Sequence, residues 1–326
     1  MSESTLVEAV NLALARAMAE DEHVIVLGED VGINGGVFRA TVGLLDRYGR
    51  ERVRDTPLSE TVIAGISIGL AAEGLRPVAE IQFSGFFYAC IDQLVNHASR
   101  LRTRTRGRLT CPMVIRTPSG GGIHALEHHS ESMEAMLAHV PGLRVVFPSS
   151  PRRAYGLLLS AIRDPDPVIF FEPTRLYRAP KEDLVDDGRG IPLDSCFILR
   201  EGSDVTLVGW GAMVQEALAT ANVLEGDGIS AEVIDVATLK PLDEATIQAS
   251  VEKTGRIVIV QEAALTAGFG AEIAARIAEH AIMSLVAPVR RVAGYDTVMP
   301  LPRLEHHYIP SENRVLAAAR EVLQYS

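Results

Sequence analysis

The chain has 326 residues, 47 % hydrophobic and 22 % charged, with a net charge of −11; these are globular proportions, and at roughly 150 residues per domain the length suggests two domains. An acidic surface opposes the phosphate neutralisation that sequence-blind nucleic-acid binding needs, so the expected partners are small molecules and proteins. Three scattered cysteines (Cys90, Cys111, Cys196) make neither a disulfide framework nor a zinc site, and with no signal peptide and no membrane-length apolar run the expectation is a soluble, cytoplasmic protein.

Short β-branched runs alternate with helical-length amphipathic stretches, which predicts a parallel α/β architecture. The first helix covers about Leu6–Ala19, with Thr5 and Glu8 at capping-box spacing. His23–Asp30 reads as a buried strand ending in acids. Thr61–Gly74 reads as an apolar helix rich in small residues, stopped by glycine. Arg76–Phe83 is the next expected strand, and one helix is expected over 86–102. Strand 112–117, a glycine-rich loop, a helix near Glu131–His139, strand 143–148, a helix opened by Pro151 and strand 167–172 follow. These elements make a first domain over 1–175. The charge run KEDLVDD and several Pro and Gly mark 176–203 as a linker. Alternation resumes over 204–326, a second α/β domain.

Ligands of open parallel sheets sit beyond the carboxyl ends of the strands. That rule singles out Glu29 and Asp30, Gln82 with Phe83 and Phe86, and the loop from Pro118 to Ser130. It also highlights Asp55–Glu60, just ahead of an apolar helix. Glu60 is either a helix N-terminal acid, worth about 0.3–1 kcal/mol through the macrodipole, or a general acid/base facing a ligand. In PSGGGIHALEHHSES, three glycines allow close backbone approach. His124 and His128 have metal-pair spacing only if helical. An acid/base histidine and a solvated loop are the other readings. Ser130 is expected to cap the following helix. The triplet Gly226-Asp227-Gly228 lacks the downstream asparagine of a magnesium–diphosphate motif and reads as a turn.

Taken together, GEDVG (28–32), GGVFRAT (35–41), RVRDTPLSE (52–60), RPVAEIQF (76–83), IDQLVNHA (91–98), HSES (129–132), SAIRDPDPVIFFEP (160–173), AEVIDVATLKPLD (231–243) and VEKTGRIVIVQE (251–262) resemble the beta subunit of the decarboxylating component of 2-oxo acid dehydrogenase complexes, of pyruvate and branched-chain type. The resemblance implies a transketolase-like fold: a doubly wound pyrimidine-binding domain followed by a transketolase C-terminal-like domain. It implies thiamine diphosphate as cofactor, with the diphosphate and magnesium held by an alpha subunit in an α2β2 heterotetramer. It further implies a 2-oxo acid substrate and transfer of the acyl group to a lipoyl acyltransferase core.

The family's site residues carry over position by position. Glu60 would bond N1′ of the aminopyrimidine and so favour the tautomer that accepts the thiazolium proton. Leu58 would offer backbone to that ring, and Gln82 and Phe86 would line its pocket. Glu29 would join an acid/base relay. His129 would handle the 2-oxo acid and the acylation of lipoamide, and His124 has a counterpart in branched-chain members. Carbonyls of Met113, Ala161, Ile162, Asp164 and Asp166 match a potassium site, with Asp166 standing where the family has asparagine. Two other readings stay open: a fragment of a one-chain transketolase-like synthase, and a non-catalytic nucleotide-binding α/β protein. The second lacks any G-x-G-x-x-G or P-loop after a strand.

Overall fold

Runs such as VIVLG and VIFF have no polar face, so they fold only where both sides of a sheet are covered. The computed structural model, which describes residues 2–325, places them so. Its strands are β1 (Ser2–Ser4), β2 (Val24–Gly28), β3 (Val53–Asp55), β4 (Arg76–Glu80), β5 (Val114–Ser119), β6 (Arg144–Val146), β7 (Val168–Pro173), β8 (Glu182–Leu184), β9 (Phe197–Arg200), β10 (Val205–Gly209), β11 (Ala231–Asp235), β12 (Thr238–Lys240), β13 (Ile257–Ala264) and β14 (Arg290–Gly294). One sheet has the order β12-β6-β7-β5-β4-β2-β3 and a second the order β14-β13-β10-β11-β9. Both are parallel except at β12 and β9. Val168, Ile169, Phe170 and Phe171 on β7 are fully buried, each stabilising the fold by about 1.5–3 kcal/mol.

The first helix runs Leu6–Glu20, with the Thr5–Glu8 capping box formed, and it packs on the helix Pro151–Arg163, which proline opens. The helix expected over Thr61–Gly74 spans Glu60–Ala72, so Glu60 is its first residue. The single helix expected over 86–102 is broken. A 3₁₀ turn (Ser84–Ala89), a wide π turn (Gln93–His97), a second 3₁₀ turn (Ala98–Arg100) and one α turn (Leu101–Arg104) take its place. Gly85 is pressed so close to another loop that a Cβ there would stand 2.1 Å from the His128 carbonyl oxygen. Tertiary contact therefore overrides helix propensity.

Between the two large sheets, β8 pairs antiparallel with β1, and β9 forms an edge of the second sheet. Residues 176–203 thus hold two short strands rather than one open stretch. The second half also returns a strand to the first sheet, since β12 pairs antiparallel with β6. No helix among the described residues is long and apolar enough to cross a membrane.

From β2 the chain first adds β3 on one side, then crosses to lay β4 on the other. That reversal is a topological switch point, and it opens a crevice beyond the carboxyl ends of β2 and β4. Glu29 and Asp30 follow β2 into it, and Gln82 follows β4.

Candidate active site

A peptide bond at the carboxyl end of β2 begins the site. The Gly28 carbonyl accepts from Thr56 N–H at 2.9 Å, which folds the segment 55–60 over the strand end and sets Glu60 at the start of its helix. Glu60 is half-buried there. Glu29 is 6 % exposed. Burial and the neighbouring charges of Glu60 and Asp30 raise its pKa above the ordinary carboxyl range, against the opposing pull of the Ser59 N–H. Two carboxyls thus stand within electrostatic reach of one another in the crevice, where Gln82 donates to Asp30 Oδ2 at 3.4 Å. Leu58 is 82 % exposed, and Val62 and Ile66, four residues apart on one helix face, are also open. A carboxylate set among uncovered apolar side chains marks a surface built for a partner.

The same helix is tied to the next element. Thr61 Oγ1 donates to the Ala89 carbonyl at 2.5 Å, on the turn that carries Phe86. Phe83 and Phe86 then meet the histidines of the 3₁₀ turn Glu127–His129. The Phe83 and His129 rings stand edge to face at 4.4 Å and Phe86 and His129 likewise at 5.5 Å, while Phe86 and His128 are tilted at 5.1 Å. Nδ1 of His129, Oε1 of Glu29 and Oγ1 of Thr56 are buried without a hydrogen-bond partner among the described residues. Orphaned buried polar atoms are rare in native proteins, and such atoms are where a bound group finds its donors and acceptors. The thiols take no part. Burial and the Glu60 charge push Cys90 up to about 12, and burial and Asp166 push Cys111 up to about 12, so neither is a thiolate at neutral pH.

Sequence reasoning missed several features. Ser130 does not cap the helix after it, which begins at Glu134; its hydroxyl donates back to the Leu126 carbonyl at 3.2 Å. The glycine loop is approached by two carboxylates of the second domain, Glu262 and Glu305. His124 and His128 belong to no metal cluster among the described residues; His124 Nδ1 instead lies 3.1 Å from Glu305 Oε2. Below the crevice, the fully buried Arg116 bridges Glu80 and Glu172. The signal for this bridge was a charged residue at a buried position in each of three strands, Glu80 in RPVAE, Arg116 in VIRTPS and Glu172 in VIFFEP.

Four of the five oxygens expected to hold potassium already accept hydrogen bonds. Met113 O takes Val168 N–H and Ala161 O takes Asp164 N–H, while Ile162 O and Asp164 O both take the Arg76 guanidinium. Asp166 accepts from Arg102 at 2.7 Å through its side chain. Each of these carbonyls keeps a second lone pair beside the bond it already accepts. The Gly226–Gly228 triplet is the end of helix Met213–Gly226 and a turn, with Asp227 accepting from Arg320 at 2.7 Å. A cleft of about 840 Å³ opens elsewhere, between Met133–His139, Leu239–Leu242 and Phe269. Its Glu272 and Arg276 are paired with each other at 2.8 Å, whereas unpartnered polar atoms of Glu29, Thr56 and His129 gather at the crevice, so the chemistry is assigned there.

Residues 2–180 match the transketolase pyrimidine binding domain and residues 195–315 the transketolase C-terminal domain. The chain is 49 % identical over 325 residues, the full length of both, to the pyruvate dehydrogenase E1 component subunit beta of Bacillus subtilis. It is 47 % identical to the one from Acholeplasma laidlawii, over 98 % of this chain and 97 % of that one. Among solved structures it resembles a split-gene transketolase described as an inactive beta4 tetramer, at TM-score 0.82 with 24 % identity and 99 % of each chain covered. A Pichia stipitis transketolase covers 99 % of this chain with 46 % of its own length, at TM-score 0.75 and 14 % identity. These two likenesses concern the fold alone.

Proposed function

Because the chain belongs to the family of E1 component beta subunits of 2-oxo acid dehydrogenases, oxidoreductase components that work with an alpha subunit, we propose that it forms the aminopyrimidine half of a thiamine diphosphate site shared across an α2β2 tetramer, acting on pyruvate. The observation that carries this reading is the Glu60 carboxyl beside the buried Glu29, at the switch point, under exposed Leu58, Val62 and Ile66. Pyruvate is preferred over branched-chain 2-oxo acids because full-length relatives at 46–49 % identity bear that name.

When bound, thiamine diphosphate supplies the electron sink for decarboxylation. The residues fit it: a carboxyl at a helix start, an orphaned buried carboxyl oxygen and hydroxyl, and an aromatic wall. Glu60 would bond the pyrimidine nitrogen N1′ and move a proton there, and Glu29, whose pKa burial and the neighbouring charges raise, would join that exchange. Gln82 and Phe86 line the ring, and Leu58 presents backbone at the rim. His129, with its free Nδ1, moves a proton at the 2-oxo acid and in transfer of the acyl group to a lipoyl arm. The diphosphate and its magnesium fall to the alpha subunit, since the Gly226–Gly228 triplet has no asparagine downstream to complete a magnesium–diphosphate motif.

Calorimetric titration with thiamine diphosphate and magnesium tests the shared site. The mixture of alpha and beta chains is expected to bind and to decarboxylate pyruvate faster than branched-chain 2-oxo acids, and the beta chain alone to show no saturable binding. Tight magnesium-dependent binding by beta alone would overturn the division of the site. His129→Ala is expected to lower acylation of a lipoyl domain by about 10²-fold or more, the worth of a positioned acid/base group, with cofactor affinity retained. Equal loss of both would remove His129 from its role.

A further inference from the structure

The loop from Gly120 to His129 carries both candidate histidines, yet its first limb is held from the other half of the molecule. Gly121 N–H donates to Glu262 Oε1 at 2.5 Å, Gly122 N–H to Glu305 Oε1 at 2.6 Å and His124 N–H to Glu305 Oε2 at 3.2 Å. His124 Nδ1 closes on the same Oε2 at 3.1 Å. Glu262 lies on β13, and Glu305 opens the short helix Glu305–Tyr308. Glu305 is 1 % exposed, so its two oxygens are committed to this loop.

The glycines serve this contact. A Cβ at Gly120 would stand 2.7 Å from Glu262 Oε1, and one at Gly121 would stand 2.8 Å from Glu305 Oε1. Gly120 and Gly122 have φ of +81° and +91°, and His124, which is not glycine, has φ of +59°. Left-handed backbone at a side-chain-bearing residue persists only where its surroundings over-determine it, and Glu305 grips His124 at both backbone and ring. At its far end the loop is pinned differently: the Glu131 carbonyl accepts from Gly120 N–H, Ser84 Oγ and Ser119 Oγ.

We propose that Glu262 and Glu305 are positioning residues, which hold the limb Gly120–His124 from the second domain and through it set where His129 stands against Phe83 and Phe86. The inference rests on the reading of His129 as the acyl-transfer group. It makes the second domain part of the site's geometry rather than a mere assembly module.

The test uses the full beta chain assembled with its alpha subunit, carrying Glu305→Gln or Glu262→Gln. A carboxamide keeps the shape but loses the charge, and in place of one carboxylate oxygen it offers a donor. Hydrogen exchange at Gly121, Gly122 and His124 is expected to rise about 10-fold or more, because each of these N–H groups loses or shares the buried acceptor oxygen that protects it. Turnover in lipoyl acylation is expected to fall about 10-fold to 100-fold, as a displaced catalytic group costs, while KM for the 2-oxo acid, thiamine diphosphate affinity and melting temperature hold. Unchanged exchange with unchanged turnover would overturn the clamp, and so would a loss spread equally over cofactor affinity and turnover. If the glutamine variants fail to fold, His124→Ala removes only the exposed ring leg. It must then raise exchange at His124 and lower acylation, and no change in either refutes the proposal. A wild-type assembly that binds no thiamine diphosphate would refute the shared site instead, so the two failures are distinguishable.

Discussion

Glu60→Gln, assembled with the alpha subunit, is expected to turn over about 10²–10⁴-fold more slowly than wild type. The carboxamide occupies the same volume at the first position of the helix Glu60–Ala72 and can still accept a hydrogen bond. What it cannot do is exchange a proton with a ring nitrogen. The competing account, that Glu60 merely complements the helix dipole, is worth about 0.3–1 kcal/mol. At about 1.4 kcal/mol per tenfold change, that account reaches a few-fold effect at most, and on stability rather than turnover. The electrostatics add a second readout. Removing the Glu60 charge takes away one of the influences that raise the Glu29 pKa, so the variant should fold no less stably than wild type. Steady-state kinetics with matched thermal melts check both. Wild-type turnover in the variant would leave the crevice without a catalytic carboxyl.

The second large effect is expected in the floor of that crevice. Arg116→Met should destabilise the chain by about 3–5 kcal/mol, the cost of breaking a buried ion pair from one side. Arg116 lies on β5 opposite Glu80 of β4 and one alternate position from Glu172 of β7. It donates from Nη1 to Glu80 at 2.8 Å, and from Nε and Nη2 to Glu172 at 2.7 and 2.9 Å. The Tyr177 hydroxyl donates to Glu172 at 2.6 Å. Burial raises the Glu80 pKa despite the guanidinium, and without Arg116 two buried carboxyls would lose the cation that bridges them. Methionine replaces the stem but not the charge. Urea unfolding at neutral pH measures the loss, and a deficit below about 1 kcal/mol would mean that the cluster contributes no more than a surface pair. Because Glu80 is two residues before Gln82, and Arg116 three before Ser119, the same change should also loosen both loops that line the site.

The particular residues show where sequence reading sufficed. The capping box at Thr5 and Glu8, proline at the start of Pro151–Arg163 and the apolar runs of β2, β5 and β7 are local signals, and the structure keeps each of them. The parallel α/β class followed from their alternation, and the Gly226–Gly228 turn from the missing asparagine. By contrast, the interval 86–102 looks helical by propensity yet is broken where Gly85 meets the His128 carbonyl. Ser130 sits ahead of a helical pattern yet bonds backward to Leu126. The glycine run promised a backbone open to a ligand, and the approaching groups are Glu262 and Glu305, more than a hundred residues away.

Chain order alone therefore determined the fold class, the strand ends that could bear a site, and the positions of Glu60, Gln82, Phe86 and His129 along them. Periodicity, caps and turn residues act over a few neighbours, and their free energies are written into adjacent side chains. Only the folded molecule decided that Glu29 lies beside Glu60, that His129 stands edge-on to Phe83, and that the second domain grips the histidine loop. Those arrangements join residues distant in sequence, and their strength comes from burial, which exists only once the two sheets and their helices have closed around them.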